Sequence, residues 1–150
     1  MHNSDYTSAG VFPMKLFPYW KKIKPLHIQV CPTNKCQLNC SFCSARNKDE
    51  TSIDPELLEQ MLGRFWDLGT RAITITGGGE PLMYEYINDL NLHSFKKGLV
   101  TNGILLHEHM KLAKSCTWIR ISLSKEREGW LPSSTIIDEL IQTTDIGFSY

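Results

Sequence analysis

Cys36, Cys40 and Cys43 fall within eight residues, in the stretch Cys36-Gln37-Leu38-Asn39-Cys40-Ser41-Phe42-Cys43, at spacing C-x3-C-x2-C. Thiolates are the usual protein ligands of iron–sulfur clusters. Three from one loop can hold three corners of a four-iron cube and leave the fourth iron open to another ligand. A tetrahedral zinc site instead takes four protein ligands, or three and a water. The other two cysteines, Cys31 and Cys116, sit at the edges of strand-like runs and make no second C-x2-C knuckle, so a zinc ribbon fits poorly. They are expected to be small buried apolar residues. On the triplet alone, zinc, a cluster and reactive thiols all stay open.

A second stretch, Thr76-Gly77-Gly78-Gly79-Glu80-Pro81, follows the strand-like run Ala72-Ile73-Thr74-Ile75. Glycines there let the backbone approach a ligand closely or take a positive φ. Such a run can also cradle phosphate, but phosphate loops use a lysine and helix N–H donors, and Glu80 would oppose an anion. Further along stand Thr101-Asn102-Gly103, whose Asn-Gly a strand-end turn alone would explain, and Ile119-Arg120-Ile121-Ser122-Leu123.

In order and spacing, from about Pro25 to Tyr150, these stretches resemble the radical S-adenosylmethionine (SAM) enzymes. One departure is Gln37, where Asn often follows the first cysteine of the family; the position is not a ligand. The resemblance implies a 4Fe-4S cluster on Cys36, Cys40 and Cys43, its fourth iron reserved for the amino and carboxylate groups of SAM. It also implies that Gly78, Gly79 and Glu80 contact the methionyl amino group, with Pro81 fixing the turn. Phe42 would pack beside the adenine or shield the cluster. Thr101 and Asn102 would line the site, Ser122 would bond ribose or carboxylate, and Arg120 would pair with the SAM carboxylate or sit in a structural ion pair. No catalytic acid or base is assigned.

The chemistry implied by the resemblance is the cofactor's own. A reduced cluster cleaves SAM to methionine and a 5′-deoxyadenosyl radical, which abstracts hydrogen from an unidentified small-molecule or peptide substrate. Flavodoxin or ferredoxin would donate the electron. The reading from another class is a non-catalytic iron–sulfur or zinc-binding module, or an inactive fragment of such an enzyme. Glu80 and Ser122 beside the cysteines favour the enzyme.

The elements that must carry these residues alternate. Strand-like runs at Leu26–Cys31, Ala72–Thr76, Gly98–Asn102, Trp118–Ser124 and Ile146–Tyr150 are separated by helical patterns. The first helix has Asp54 as N-cap, Pro55 at its first position and Gly69 as a left-handed stop. Later helices are expected over about Tyr84–Leu92, Leu105–Ser115 and Ser134–Thr143. Strands alternating with helices argue a parallel sheet of right-handed units. One face of strands one, two and four is polar: His27, Gln29, Thr74, Thr76, Arg120 and Ser122. An antiparallel sheet with one wet face would show the same alternation, but the helices disfavour it. A partial (β/α)6 TIM-like barrel with parallel strands and a polar lumen is expected, apparently truncated after strand five. The cysteine loop, the glycine run, Asn102 and Ser122 all fall at C-terminal strand ends, where such barrels work. His27 is expected to be a hydrogen-bonded core histidine.

The chain has 150 residues, enough for one domain with a sizeable core. It divides into an N-terminal arm, 1–24, and a core, 25–150. The arm's Phe12, Phe17, Tyr19 and Trp20 are expected to pack on the domain, and Lys15, Lys21, Lys22 and Lys24 to be solvated. Sixteen Lys and Arg balance sixteen Asp and Glu, so no overall field points to nucleic acid or an anionic membrane. No apolar run reaches membrane-spanning length. Five cysteines with three tightly spaced read as metal ligands in a reducing, cytoplasmic setting better than as disulfides.

Overall fold

The structure, a computed structural model, describes residues 24–45, 49–92, 94–123 and 131–149. The arm apart from Lys24, together with Ser124 and Tyr150, lies outside the described residues. Five strands, β1 (His27–Val30), β2 (Ala72–Ile75), β3 (Lys96–Thr101), β4 (Trp118–Ser122) and β5 (Asp145–Ser149), form one sheet in the order β1-β2-β3-β4-β5. Every pairing is parallel, which removes the antiparallel alternative. Sheet order that follows chain order keeps all right-handed crossovers on one side. A doubly wound sheet would reverse its order and place helices on both faces.

The helices α1 (Pro55–Leu68), α2 (Met110–Ser115) and α3 (Ser134–Leu140) accordingly share one core. Leu58, Leu62, Leu112, Ala113 and Leu140 pack there with Ile73, Ile75, Leu99, Ile119 and Ile121 from the strands. The opposite face carries the polar series. Gln29 is in register with Thr74, Thr74 with Gly98, and Val100 with Arg120. This is the half-open α/β barrel that the alternation predicts. His27 Nε2 and Thr74 Oγ1 are 2.8 Å apart, so the histidine is hydrogen-bonded as expected, but it is exposed on the edge strand and is not a core residue.

Local chemistry sets the limits of α1. The Asp54 side chain accepts from the Leu57 N–H at 2.9 Å, which satisfies one of the donors a helix start leaves over. Gly69 ends it at φ 106°, with its N–H turned back to the Phe65 and Trp66 carbonyls. Arg71 lies over the Trp66 ring, 3.8 Å from its centroid, and donates to the Trp66 carbonyl at 2.8 Å. Asp54→Ala should lower stability by about 1 kcal/mol, which for a domain of this size is a fall in Tm of about 2–4 °C. Thermal melts of the two proteins check this; coincident melts would mean that the cap contributes nothing.

Two expected helices differ. No α-helix covers Tyr84–Leu92. A 3-10 turn, Pro81–Met83, is followed by successive turns whose N–H groups reach back three residues, from Ile87 to Tyr84 and from Asp89 to Tyr86. The apolar residues do turn inward, with Tyr84, Ile87, Leu90 and Leu92 buried, and the Tyr84 hydroxyl donates to the Ile53 carbonyl. Asn88, Asp89 and Asn91, interspersed among them, are poor helix formers that favour turns. The helix expected over Leu105–Ser115 divides into a 3-10 turn, Leu106–Glu108, and α2, with His109 between them at φ −121°. Its ring meets the Asn88 side chain at 3.1 Å. β3 starts two residues early, at Lys96. Cys116 is buried as expected, and burial pushes its thiol up to about 11. Cys31 is not buried but exposed, because β1 is an edge strand whose C-terminal end is open.

Candidate active site

A cavity of about 190 Å³ opens at the C-terminal ends of the strands. Cys36, Cys40, Phe42 and Cys43 reach it from the loop after β1, Gly77 to Glu80 from the loop after β2, Asn102 from the end of β3 and Ser122 from the end of β4. Four segments far apart in the chain thus meet because a parallel sheet brings equivalent strand ends together. Arg120 does not join them. It is exposed on the polar face one step below Ser122, and neither ion pair seen among the described residues includes it. Phe42 lines the cavity yet stays 62 % exposed.

Glu80 is the site's buried carboxyl side chain. It is only 2 % exposed, and three groups of its own chain donate to its carboxylate. The Thr101 hydroxyl reaches Oε1 at 2.6 Å, the Asn102 N–H reaches Oε2 at 2.7 Å and the Leu82 N–H reaches Oε1 at 3.2 Å. Donors of this kind satisfy the oxygens of a carboxyl group held away from water. Glu80 therefore ties the end of β2 to the end of β3 and caps the turn that follows. The resemblance implies a contact with a SAM amino group; in the structure the carboxyl is buried against Thr101, Asn102 and Leu82.

The glycines owe their identity to close approach. No positive φ occurs at Gly77, Gly78 or Gly79. The backbone before the first cysteine docks directly on them, with Gly79 N–H donating to the Thr33 carbonyl at 3.2 Å and Glu80 N–H to the Lys35 carbonyl at 2.7 Å. A Cβ on Gly79 would lie 2.5 Å from the Asn34 carbonyl carbon. Gly103 differs: it holds φ +84°, so the Asn-Gly after β3 is indeed a left-handed turn.

Two polar residues that composition and spacing did not single out help to build the wall. Gln37 and Asn102 exchange amide hydrogen bonds, at 3.4 and 3.3 Å, between the cysteine loop and the end of β3. Asn34 donates to Asp49 Oδ1 at 2.8 Å across the base of the same loop. Bonds from Asn34 and Thr51 hold the Asp49 carboxyl down to about 2, so it is ionised at neutral pH. Both contacts join residues distant in sequence, and no local spacing signals them.

All three cavity thiols are free and soft, as iron–sulfur ligation requires. Among the described residues, no three His, Cys, Asp or Glu side chains are grouped closely enough to hold a metal ion. A mononuclear zinc site needs that convergence on one point. A cube offers each thiolate its own corner, so three free thiols lining one cavity suit a cluster.

The chain is thus a parallel, half-open α/β barrel with a thiol-lined cavity at its strand ends. The family model of the radical SAM superfamily matches residues 30–126. The chain belongs to the radical SAM superfamily, whose enzymes use a 4Fe-4S cluster and SAM. Among curated proteins it is similar to a probable GTP 3′,8-cyclase of Archaeoglobus fulgidus, at 28 % identity over 77 % of this chain and 42 % of that one. The GTP 3′,8-cyclase of Aquifex aeolicus is 30 % identical over 69 % of this chain and 36 % of its own length. The chain therefore spans about two fifths of the length of these relatives.

Solved structures agree on the fold. Streptococcus suis SuiB bound to SAM matches with a TM-score of 0.60 and 24 % identity, covering 76 % of this chain and 29 % of SuiB. The enzyme anSMEcpe with bound SAM and a peptide matches with a TM-score of 0.58 and 18 % identity, over 83 % of this chain and 42 % of that one. No helix among the described residues is long and apolar enough to cross a membrane.

Proposed function

We propose that this chain carries the cluster- and SAM-binding half of a radical SAM enzyme. Cys36, Cys40 and Cys43 hold three corners of a 4Fe-4S cluster, and SAM lies between that loop and the glycine run. The observation that carries the reading is the meeting of the three thiols, Gly78, Gly79, Asn102 and Ser122 around one cavity. When bound, the group supplies one-electron cleavage of SAM and hydrogen abstraction from a substrate. The protein's own part is to bind and orient. Gly78 and Gly79 line the cavity, and backbone carbonyls there suit a cation such as the methionyl ammonium. Glu80, engaged by Thr101 and Asn102, fixes that backbone from behind. Phe42 offers an apolar face to the adenine, and Ser122 offers a hydroxyl to ribose or carboxylate.

The substrate reading follows the curated relatives. Because the matched proteins are named as GTP 3′,8-cyclases, GTP is the first substrate to assay. An electron donor of the flavodoxin or ferredoxin type and a reducing compartment, the cytoplasm, complete the requirement. The test is anaerobic incubation of the reconstituted protein, at its natural length, with dithionite and SAM, with and without GTP. Formation of 5′-deoxyadenosine, increased by GTP, supports both readings. Formation that GTP does not increase supports the SAM chemistry and counts against GTP as substrate. No 5′-deoxyadenosine beyond that of a protein lacking Cys40 would refute the enzyme.

A further inference from the structure

The cysteine loop and the glycine run are separate motifs in the sequence, and the structure shows one side chain lying between them. Asn34 sits two residues before Cys36. Its Nδ2 donates across the loop base to Asp49 Oδ1 at 2.8 Å and lies 3.3 Å from Thr51 Oγ1. Its N–H donates to the Thr51 carbonyl at 2.7 Å, and Ile53 N–H closes the base onto the Pro32 carbonyl at 2.8 Å. Beside them the Thr33 and Ser52 hydroxyls meet at 2.7 Å. The segment bearing all three cysteines is thus a closed loop with its two ends pinned together.

The other end of the Asn34 carboxamide faces the glycine run. A Cβ on Gly78 would collide with Asn34 Oδ1 and lie 3.4 Å from Asn34 Cγ. Among the described residues it would meet nothing else within 4 Å. Gly79 is different, for its Cβ would strike the backbone of Asn34 and Lys35. Gly78 is therefore kept bare by one side chain, and Gly79 by the main chain.

We infer that Asn34 is a positioning residue that seats the cluster loop on the SAM-binding glycine run, its carboxamide filling the space over Gly78 while it clasps Asp49. The inference rests on the reading of these two loops as the cluster and SAM sites. With the clasp intact, the distance between the thiols and the Gly78 backbone is set by a fixed contact. Without it, the loop can still gather its cluster, because the cysteines are untouched, but its separation from the SAM site loosens.

The test is a pair of double-variant cycles in the full chain. In the cluster-free protein, Gly78→Ala should lower Tm by about 3–8 °C through overpacking, and by less than half as much once Asn34→Ala has cleared the space. Gly79→Ala, which meets backbone, should gain no such relief. In the anaerobically reconstituted protein, Asn34→Ala should keep its iron content and bind SAM about tenfold more weakly. Asn34→Asp should weaken SAM binding too, by setting two carboxylates face to face. Adding Asp49→Asn to it restores a donor and an acceptor, so binding should recover. A Gly78→Ala cost that is the same with and without Asn34 would overturn the seating. So would unchanged SAM affinity in Asn34→Ala at full iron content. Failure of the unsubstituted protein to bind a cluster would count against the proposed function, while the melting cycle would still decide the seating.

Discussion

Cys40→Ala, reconstituted without oxygen, is expected to lose its cluster and with it all SAM cleavage. Cys40 is the middle cysteine of the proposed ligand set, in a loop closed at both ends, and the turn that follows it, with Cys43 N–H donating to the Cys40 carbonyl at 3.1 Å, sets where Cys43 points. Two thiolates and a methyl group leave a second iron without its protein ligand. Cluster proteins rarely tolerate that, since the thiolates hold the irons directly. Iron content per chain should fall at least about tenfold, as loss of an inner ligand exceeds the 10–100-fold cost typical of outer-shell changes. Cys31→Ala and Cys116→Ala are the controls, one exposed on the edge strand and the other buried beneath the sheet, and both should retain full iron. Wild-type iron in Cys40→Ala would remove this cysteine from the ligand set.

The second large effect is at Glu80. Removing its carboxylate leaves the Thr101 hydroxyl and the Asn102 and Leu82 N–H groups without their acceptor in a buried place. Unsatisfied buried donors cost about 1–3 kcal/mol each before any relaxation or water entry, so Glu80→Ala should lose about 3–5 kcal/mol of stability. Glu80→Gln keeps one acceptor and should lose clearly less. SAM affinity should fall in both, through displacement of the Gly78–Gly79 backbone and the end of β3. Urea melts of the cluster-free proteins measure the stability change. A Glu80→Ala protein as stable as the parent, with weakened SAM binding alone, would assign the carboxylate to the ligand and not to the frame.

Much of this architecture could be read from residue patterns because it rests on short-range rules. The alternation of Ile73 and Ile75 with Ala72 and Thr74 gives a strand whose two faces differ, and Asp54, Pro55 and Gly69 mark a helix at both ends. The strand-end placement of Cys36, Gly78, Asn102 and Ser122 then follows from parallel pairing. Local rules failed where side chains from elsewhere decide. Tyr84, Ile87 and Leu90 have a spacing that fits a helix, yet they bury themselves through turns. His109 interrupts an apolar helical series beside Asn88. Glu80 is a recognisable motif residue, but its partners Thr101 and Asn102 lie 21 and 22 positions away. Asn34 and Gln37 look like loop polarity until the fold brings Asp49 and Asn102 to them.

Under the proposed function, three thiolates hold a four-iron cluster whose remaining iron is open to SAM beside the glycine run. Mössbauer spectroscopy of the ⁵⁷Fe-reconstituted protein, recorded with and without SAM, tests it most directly. One iron in four should change its spectrum when SAM is added, while the three thiolate-bound irons keep theirs. A spectrum that SAM leaves unaltered, or a protein that binds stoichiometric zinc and assembles no cluster, would contradict it.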